Sequence, residues 1–84
     1  MLFHARLDIA VPRGMDPEVR ADLFERDRSY LARAEGVRRL QAVGEQVEFL
    51  LIEAADHEQV HTWLAERPLA RFATITLTAV TAHR

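Results

Sequence analysis

Cysteine and lysine are both missing from this 84-residue sequence, and glycine and proline occur three times each. Without cysteine there are no disulfides to staple a small fold, and nothing asks for an oxidising compartment. No apolar run approaches the roughly 20 residues of a membrane span. No basic stretch followed by an apolar core marks a secretory leader. These absences make a soluble cytoplasmic protein the expectation. The formal charge of −2 argues against a nucleic-acid partner, because such proteins carry a clustered basic surplus. All eleven basic side chains are arginine, which suits anion binding and a GC-rich genome equally. The three glycines (Gly14, Gly36 and Gly44) are spaced as turn residues, with no glycine-rich phosphate loop, dinucleotide fingerprint or Ser-His-Asp order. No cofactor is expected. The length indicates one domain, small enough to gain from self-association.

What is present is a clear alternation of patterns. Phe3, Ala5, Leu7, Ile9 and Val11 fall on one side of an extended chain, and Leu2, His4, Arg6 and Asp8 on the other, a half-buried strand over 2–11. Pro12, Arg13 and Gly14 end it. Asp16-Pro17 starts a helix, Asp as cap and Pro in the first turn. The helix runs to about Ala34 and Glu35, where Gly36 suits its stop. Residues 37–43 and 47–53 read as a hairpin turning at Gly44-Glu45. The second of these strands is apolar on both faces, with Val47, Phe49 and Leu51 on one and Leu50 and Ile52 on the other. Both faces are then covered. Two helices can cover one of them, which leaves the other for a second subunit. Asp56 and Gln59 form a capping box for a second helix, whose stripe is Val60, Trp63 and Leu64 and which Pro68 closes. A β-branched strand follows over 72–81. The order β-α-β-β-α-β is the ferredoxin-like α+β arrangement: a four-stranded antiparallel sheet with two helices on one face.

The first helix carries the most informative anomaly. With Val19 at zero and 100° per residue, Tyr30, Leu23 and Ala34 fall between about 20° and 60°, Asp27 at about 80° and Arg20 at about 100°. A carboxylate and a guanidinium thus enter the apolar stripe. Burying a charge is costly unless it is paired, and a buried carboxylate is a candidate base or proton shuttle. The plainer reading is a structural Asp-Arg pair, or a stripe edge facing solvent. Glu25, at about 240° on the same wheel, sits on the polar side and ranks below Asp27. His57 and His61 stand four apart, but two ligands fall short of the three or four of a metal site. His4 points to the polar side of its strand, toward a pocket or an interface on the helix-free face. Trp63 suits core or interface. Arg38 and Arg39 alternate, so at most one faces any given site.

With these residues in view, the chain resembles the muconolactone Δ-isomerase family. The resemblance runs from MLFH at 1–4 through a strand closed by Pro12, MDP at 15–17, Glu35-Gly36 and Arg39-Leu40 to VHTWLAERPL at 60–69 and His83. It implies a ferredoxin-like subunit of a large homo-oligomer, typically a decamer, with pockets near subunit interfaces. It also implies a cofactor-free reaction of aromatic catabolism through the β-ketoadipate pathway, in which a proton leaves a lactone ring carbon and returns elsewhere on the conjugated system. Family members carry an acidic residue at or near Asp27, which makes Asp27 the expected base. Arg20 or Arg39 would hold the substrate carboxylate, and His4 and Tyr30 would line the pocket. The chain departs from the family at VRRLQAV (37–43), where members have W-R-H-L-W-R, and at RPLARFA (67–73), where they have L-P-L-F-P-Y. A polar tail after the final His has no counterpart beyond Arg84. These departures keep two other readings open: a cyclase-like enzyme of a polyketide-type pathway, and a non-catalytic oligomeric binding protein.

Overall fold

The computed structural model describes residues 1–43 and 46–81. Its elements run β1 (Leu2–Ile9), α1 (Pro17–Ala32), β2 (Val37–Gln41), β3 (Val47–Glu53), α2 (His57–Ala65), a short 3-10 turn (Ala70–Phe72) and β4 (Ala73–Val80). The strands form one antiparallel sheet in the order β2-β3-β1-β4. This is the expected ferredoxin-like α+β fold, with element ends shifted by a few residues. β1 stops at Ile9 and not at Val11, α1 at Ala32 and not at Ala34 or Glu35, and β2 at Gln41, with Val43 fully exposed. The expected turn at Gly44-Glu45 and the expected role of His83 fall outside the described residues.

Local chemistry explains the boundaries. The Asp16 carboxylate accepts hydrogen bonds from the amides of Glu18 (2.9 Å) and Val19 (3.4 Å), and Pro17 occupies the first turn; free amides at a helix start need such acceptors. In α2 the Asp56 carboxylate accepts from the Gln59 amide at 2.8 Å. The Gln59 side chain in turn accepts from the Ala55 amide at 2.8 Å. Gly36 adopts φ +70° on the way into β2, where a side chain is strained.

Register fixes the two faces. Phe3 lies opposite Ile52 and Ala5 opposite Leu50, with Val37 and Arg39 beside them on β2 and Ala79 and Leu77 on β4. Phe3, Ala5, Leu7, Leu50 and Ile52 form the buried core with Val60 and Leu64 of α2. Full burial of Phe3, Leu7, Leu50 and Val60 stabilises the fold by about 2 kcal/mol per side chain. The opposite face of the sheet carries His4, Phe49, Leu51 and Leu40, all half-buried or exposed. β3 is therefore apolar on both sides, as its sequence indicates. α1 differs from expectation: Val19, the reference position at the edge of the expected stripe, is 56% exposed, and only Leu23 and Asp27 of this helix are buried.

A methyl group on Gly36 would sit 3.3 Å from the Glu53 Cβ in a backbone conformation that disfavours side chains. Gly36→Ala is expected to lower stability by about 1–2 kcal/mol, read as a shifted midpoint in urea unfolding with an unchanged slope. An unshifted midpoint would refute the positive φ.

Candidate active site

Three elements place charged groups at one point between α1 and the sheet. Asp27 follows Leu23 by four residues, so it lies on the same, inward face of α1. Glu48 alternates with Leu50 and Ile52 and points to the helix side of β3. Arg67 follows the last turn of α2. There its amide donates to the Leu64 carbonyl (3.3 Å) and its carbonyl accepts from the Ala70 amide (2.9 Å). Arg67, Glu48 and Asp27 are 2%, 3% and 4% exposed.

The Arg67 guanidinium holds both carboxylates. Its Nε donates to Asp27 Oδ1 at 2.8 Å and its Nη2 to Asp27 Oδ2 at 3.0 Å. Its Nη1 donates to Glu48 Oε1 at 2.5 Å and its Nη2 to Glu48 Oε2 at 3.1 Å. Two further donors complete the cluster: Arg39 Nε to Glu48 Oε2 at 2.9 Å, and the Leu69 amide to Asp27 Oδ1 at 3.3 Å. Two carboxylates and two guanidiniums leave the cluster neutral. Among the described residues no buried side-chain nitrogen or oxygen lacks a partner, the condition under which buried charge is tolerable. Burial by itself works to lower the Arg67 pKa. The hydrogen bonds to Asp27 and Glu48 and their negative charge outweigh it and raise the pKa above its already high ordinary value. Arg67 is therefore a fixed positive charge and takes no part in proton transfer.

A cleft of about 780 Å³ opens beside this cluster. Asp27, Glu48 and Arg39 lie on its wall together with Arg13, Arg20 and Arg28. Phe24, Ile9 and Leu69 supply apolar surface. Arg28 is neutralised by Glu25 at 2.6 Å. The Arg20 guanidinium lies over the Phe24 ring, 5.0 Å from its centroid, a cation–π contact. The site thus joins a buried, hydrogen-bonded carboxylate to a cation-rich wall.

Of the five residues expected from sequence, the structure brings Asp27, Arg20 and Arg39 to this cleft and leaves His4 and Tyr30 away from it. His4 lies on the helix-free face against Phe49, ring centroids 5.6 Å apart, because period-two alternation turns it away from Phe3 and Ala5. Tyr30 stacks on Trp63 at 5.4 Å and donates its hydroxyl to the Trp63 carbonyl at 2.5 Å, tying α1 to α2. Arg20 is not the partner of Asp27; that partner is Arg67. Glu25 faces solvent with Arg28. His57 stands edge-on to Phe3, centroids 6.0 Å apart. Among the described residues no three His, Asp or Glu side chains gather as a metal site. Sequence reasoning missed Glu48 and Arg67. Glu48 carried a signal, being a charge in register with Leu50 and Ile52. Arg67 carried none, since it lies in a connection that no periodicity governs.

Comparison with known proteins adds to this geometry. A family model described as muconolactone delta-isomerase matches residues 1–84. A muconolactone Delta-isomerase of Rhodococcus opacus is 26% identical over 86 residues, covering 98% of this chain and 92% of the relative. That of Cupriavidus pinatubonensis is 25% identical over 87 residues, covering 99% and 95%. A crystal structure of muconolactone isomerase superposes with a TM-score of 0.90 at 22% identity, over 99% of this chain and 91% of the other. A 5-chloro-2-hydroxyhydroquinone dehydrochlorinase of Burkholderia phenoliruptrix, in complex with 2,5-dihydroxybenzoquinone, superposes with 0.65 at 20% identity, over 99% and 96%. At these identities the two structures speak for the fold.

The cluster makes two predictions. Arg67→Met strands two buried carboxylates and is expected to cost about 3–5 kcal/mol; adding Asp27→Asn and Glu48→Gln should recover most of that loss in chemical unfolding. Equal stability of the single and triple variants would show that the bridge does not hold the fold. Tyr30 has a raised pKa, chiefly through burial and then through the Glu66 charge, partly offset by Arg33 and Arg67. A folded-state pKa above the unfolded value gives stability that is present below about pH 10 and lost as pH rises further. Thermal unfolding between pH 9 and 11 should therefore fall more steeply for the wild type than for Tyr30→Phe. Parallel curves would contradict it.

Proposed function

The chain belongs to the muconolactone Δ-isomerase family, and from that premise we propose that it is a cofactor-independent isomerase that moves a proton within a small lactone. The step is of the muconolactone to 3-oxoadipate enol-lactone type, in aromatic catabolism. The observation that carries this reading is Asp27: a carboxylate 4% exposed that nevertheless lies on the wall of an arginine-lined cleft. An exposed Asp27 remote from any pocket would favour a binding protein that had lost its site.

Asp27 is the base. Its Oδ1 accepts two hydrogen bonds, from Arg67 and Leu69, while Oδ2 accepts one. Oδ2 therefore retains the capacity to take a proton from a lactone ring carbon. The electron pair left behind spreads over the conjugated carbonyl system as an enolate. Nearby guanidinium groups stabilise that charge as it develops. Asp27 then returns the proton to another carbon of the same system, so atoms and charge balance without an electron carrier. Arg67 and the Leu69 amide hold the carboxylate in one position throughout, and such orientation is a large part of catalytic power. Arg39 uses only Nε on Glu48, so its remaining donors can pair with a substrate carboxylate in the two-pronged way arginine favours. His4 and Tyr30, remote from the cleft, have no part in this scheme.

We also read the chain as one subunit of a homo-oligomer. Support comes from Leu40, 45% exposed, beside Phe49 and Leu51 on the helix-free face. The radius of gyration of 13.5 Å also exceeds the about 12 Å of a compact monomer of this length.

An absorbance assay with (+)-muconolactone tests the reaction. The wild type should turn it over, and Asp27→Asn should lower kcat by about 10²–10⁴-fold, with the assembly unchanged by light scattering. A wild type without turnover, or an Asp27→Asn variant with full rate, would overturn the reading.

A further inference from the structure

Glu48 has no step in the proton transfer, yet it is a full charge at 3% exposure. The core does not call for a charge there. Leu50 and Ile52, on the same face of β3, belong to the apolar core, and an apolar side chain at position 48 would continue their row. Buried ion pairs rarely gain net stability over apolar packing. The use of Glu48 therefore lies in what it holds.

It holds two guanidiniums of different kind. Arg67, itself buried, donates Nη1 to Oε1 and Nη2 to Oε2. Arg39 donates Nε to Oε2 at 2.9 Å. The Arg39 side chain is 51% exposed, against 4% for that of Glu48. Among the described residues its Nη1 and Nη2 have no protein partner. Arg39 also stands on β2, an edge strand of the sheet. A half-exposed arginine there has many rotamers open to it, and the buried carboxylate removes most of them. The guanidinium is planar, so anchoring Nε restricts the directions of its other donors. Arg39, Glu48, Arg67 and Asp27 thus form one chain of alternating charge, with no link longer than 3.1 Å. The arginine that borders the cleft and the carboxylate on its wall are its two ends.

We propose that Glu48 is a positioning residue of the isomerase: it orients Arg39 for the substrate carboxylate and, through Arg67, sets that anchor at a fixed place relative to Asp27. The inference rests on the cleft being the substrate site, with Arg39 as the carboxylate anchor. Binding tests it without turnover, so failure of the isomerase reading and failure of the Glu48 role give separate results.

The probe is the ring-saturated analogue of muconolactone. It keeps the lactone and its one carboxylate but lacks the ring double bond, so it binds without isomerising. It is titrated calorimetrically into the intact protein. Arg39→Gln should weaken it about tenfold, the effect of one lost charge-assisted contact. Glu48→Gln removes a negative charge beside an anion position, which by Coulomb attraction alone would tighten binding. Lost orientation of Arg39 should instead weaken it by about threefold or more, and the same change should do nothing further in the Arg39→Gln background, the non-additivity of residues that act through one another. Arg39→Lys, at an exposed position that leaves the core intact, should weaken binding nearly as much as Arg39→Gln, because one ammonium cannot both bond Glu48 and grip a carboxylate with two prongs. Unchanged or tighter binding by Glu48→Gln overturns the proposal. So do additive losses in the double variant, and wild-type affinity in Arg39→Lys, where charge without orientation would suffice. Failure of the wild type to bind the analogue at millimolar concentration overturns it as well.

Discussion

The Arg67 guanidinium is the group on which the arrangement of this chain depends. It reaches from the connection after α2 to Asp27 on α1 and Glu48 on β3, so three elements meet at one planar cation. α1 has little else to hold it against the sheet. Leu23 and Asp27 are its only buried residues, and Tyr30 ties it sideways to α2 rather than down to the strands. A helix seated on an apolar stripe can slide or roll at modest cost. One held by a two-sided guanidinium fork cannot, because each donor has a direction and a length. The network contributes position more than net stability, as expected for buried ion pairs whose desolvation offsets much of their attraction.

That constraint also accounts for the cleft. A continuous apolar seam would draw α1 down along its whole length. A bridge at Asp27 fixes one height and leaves the N-terminal turns of the helix above the sheet, where Val19 stays exposed and the cleft opens. The same contact thus makes the space and places a carboxylate on its wall.

The fold was legible in the sequence because period-two and period-3.6 patterns report burial directly. Phe3, Ala5 and Leu7, the double-sided β3 and both Asp caps lie where those patterns put them. Asp27 was legible as an anomaly, a charge where the wheel required apolar character. Its partner was not. The wheel sees only one helix, so it offered Arg20, which stands on the same face but points into the cleft over Phe24. Arg67 comes from 40 residues away in a connection. Pairing across such a distance is a property of the folded chain, which local spacing does not encode. Glu48 lay between these cases, betrayed by alternation but hidden by a strand apolar on both faces. His4 and Tyr30 are residue types suited to a site, which register and helix phase place on the helix-free face and in a helix–helix tie.

The β2 segment joins the cleft wall to the buried bridge. In VRRLQ, Arg39 lies opposite Leu50 and so on the helix side, while Arg38 lies opposite Leu51 and faces away. The inward arginine reaches Glu48 and borders the cleft. An aromatic wall selects ligands by shape and apolar area. An arginine wall selects them by charge and acts over a Debye length of about 8–10 Å at ordinary salt. Arg67 thus holds the Asp27 carboxylate in place while Arg39, on the sheet side, presents positive charge to the cleft. Cleft wall and bridge are coupled here, because Arg39 lines the cleft and also completes the neutral cluster through Glu48.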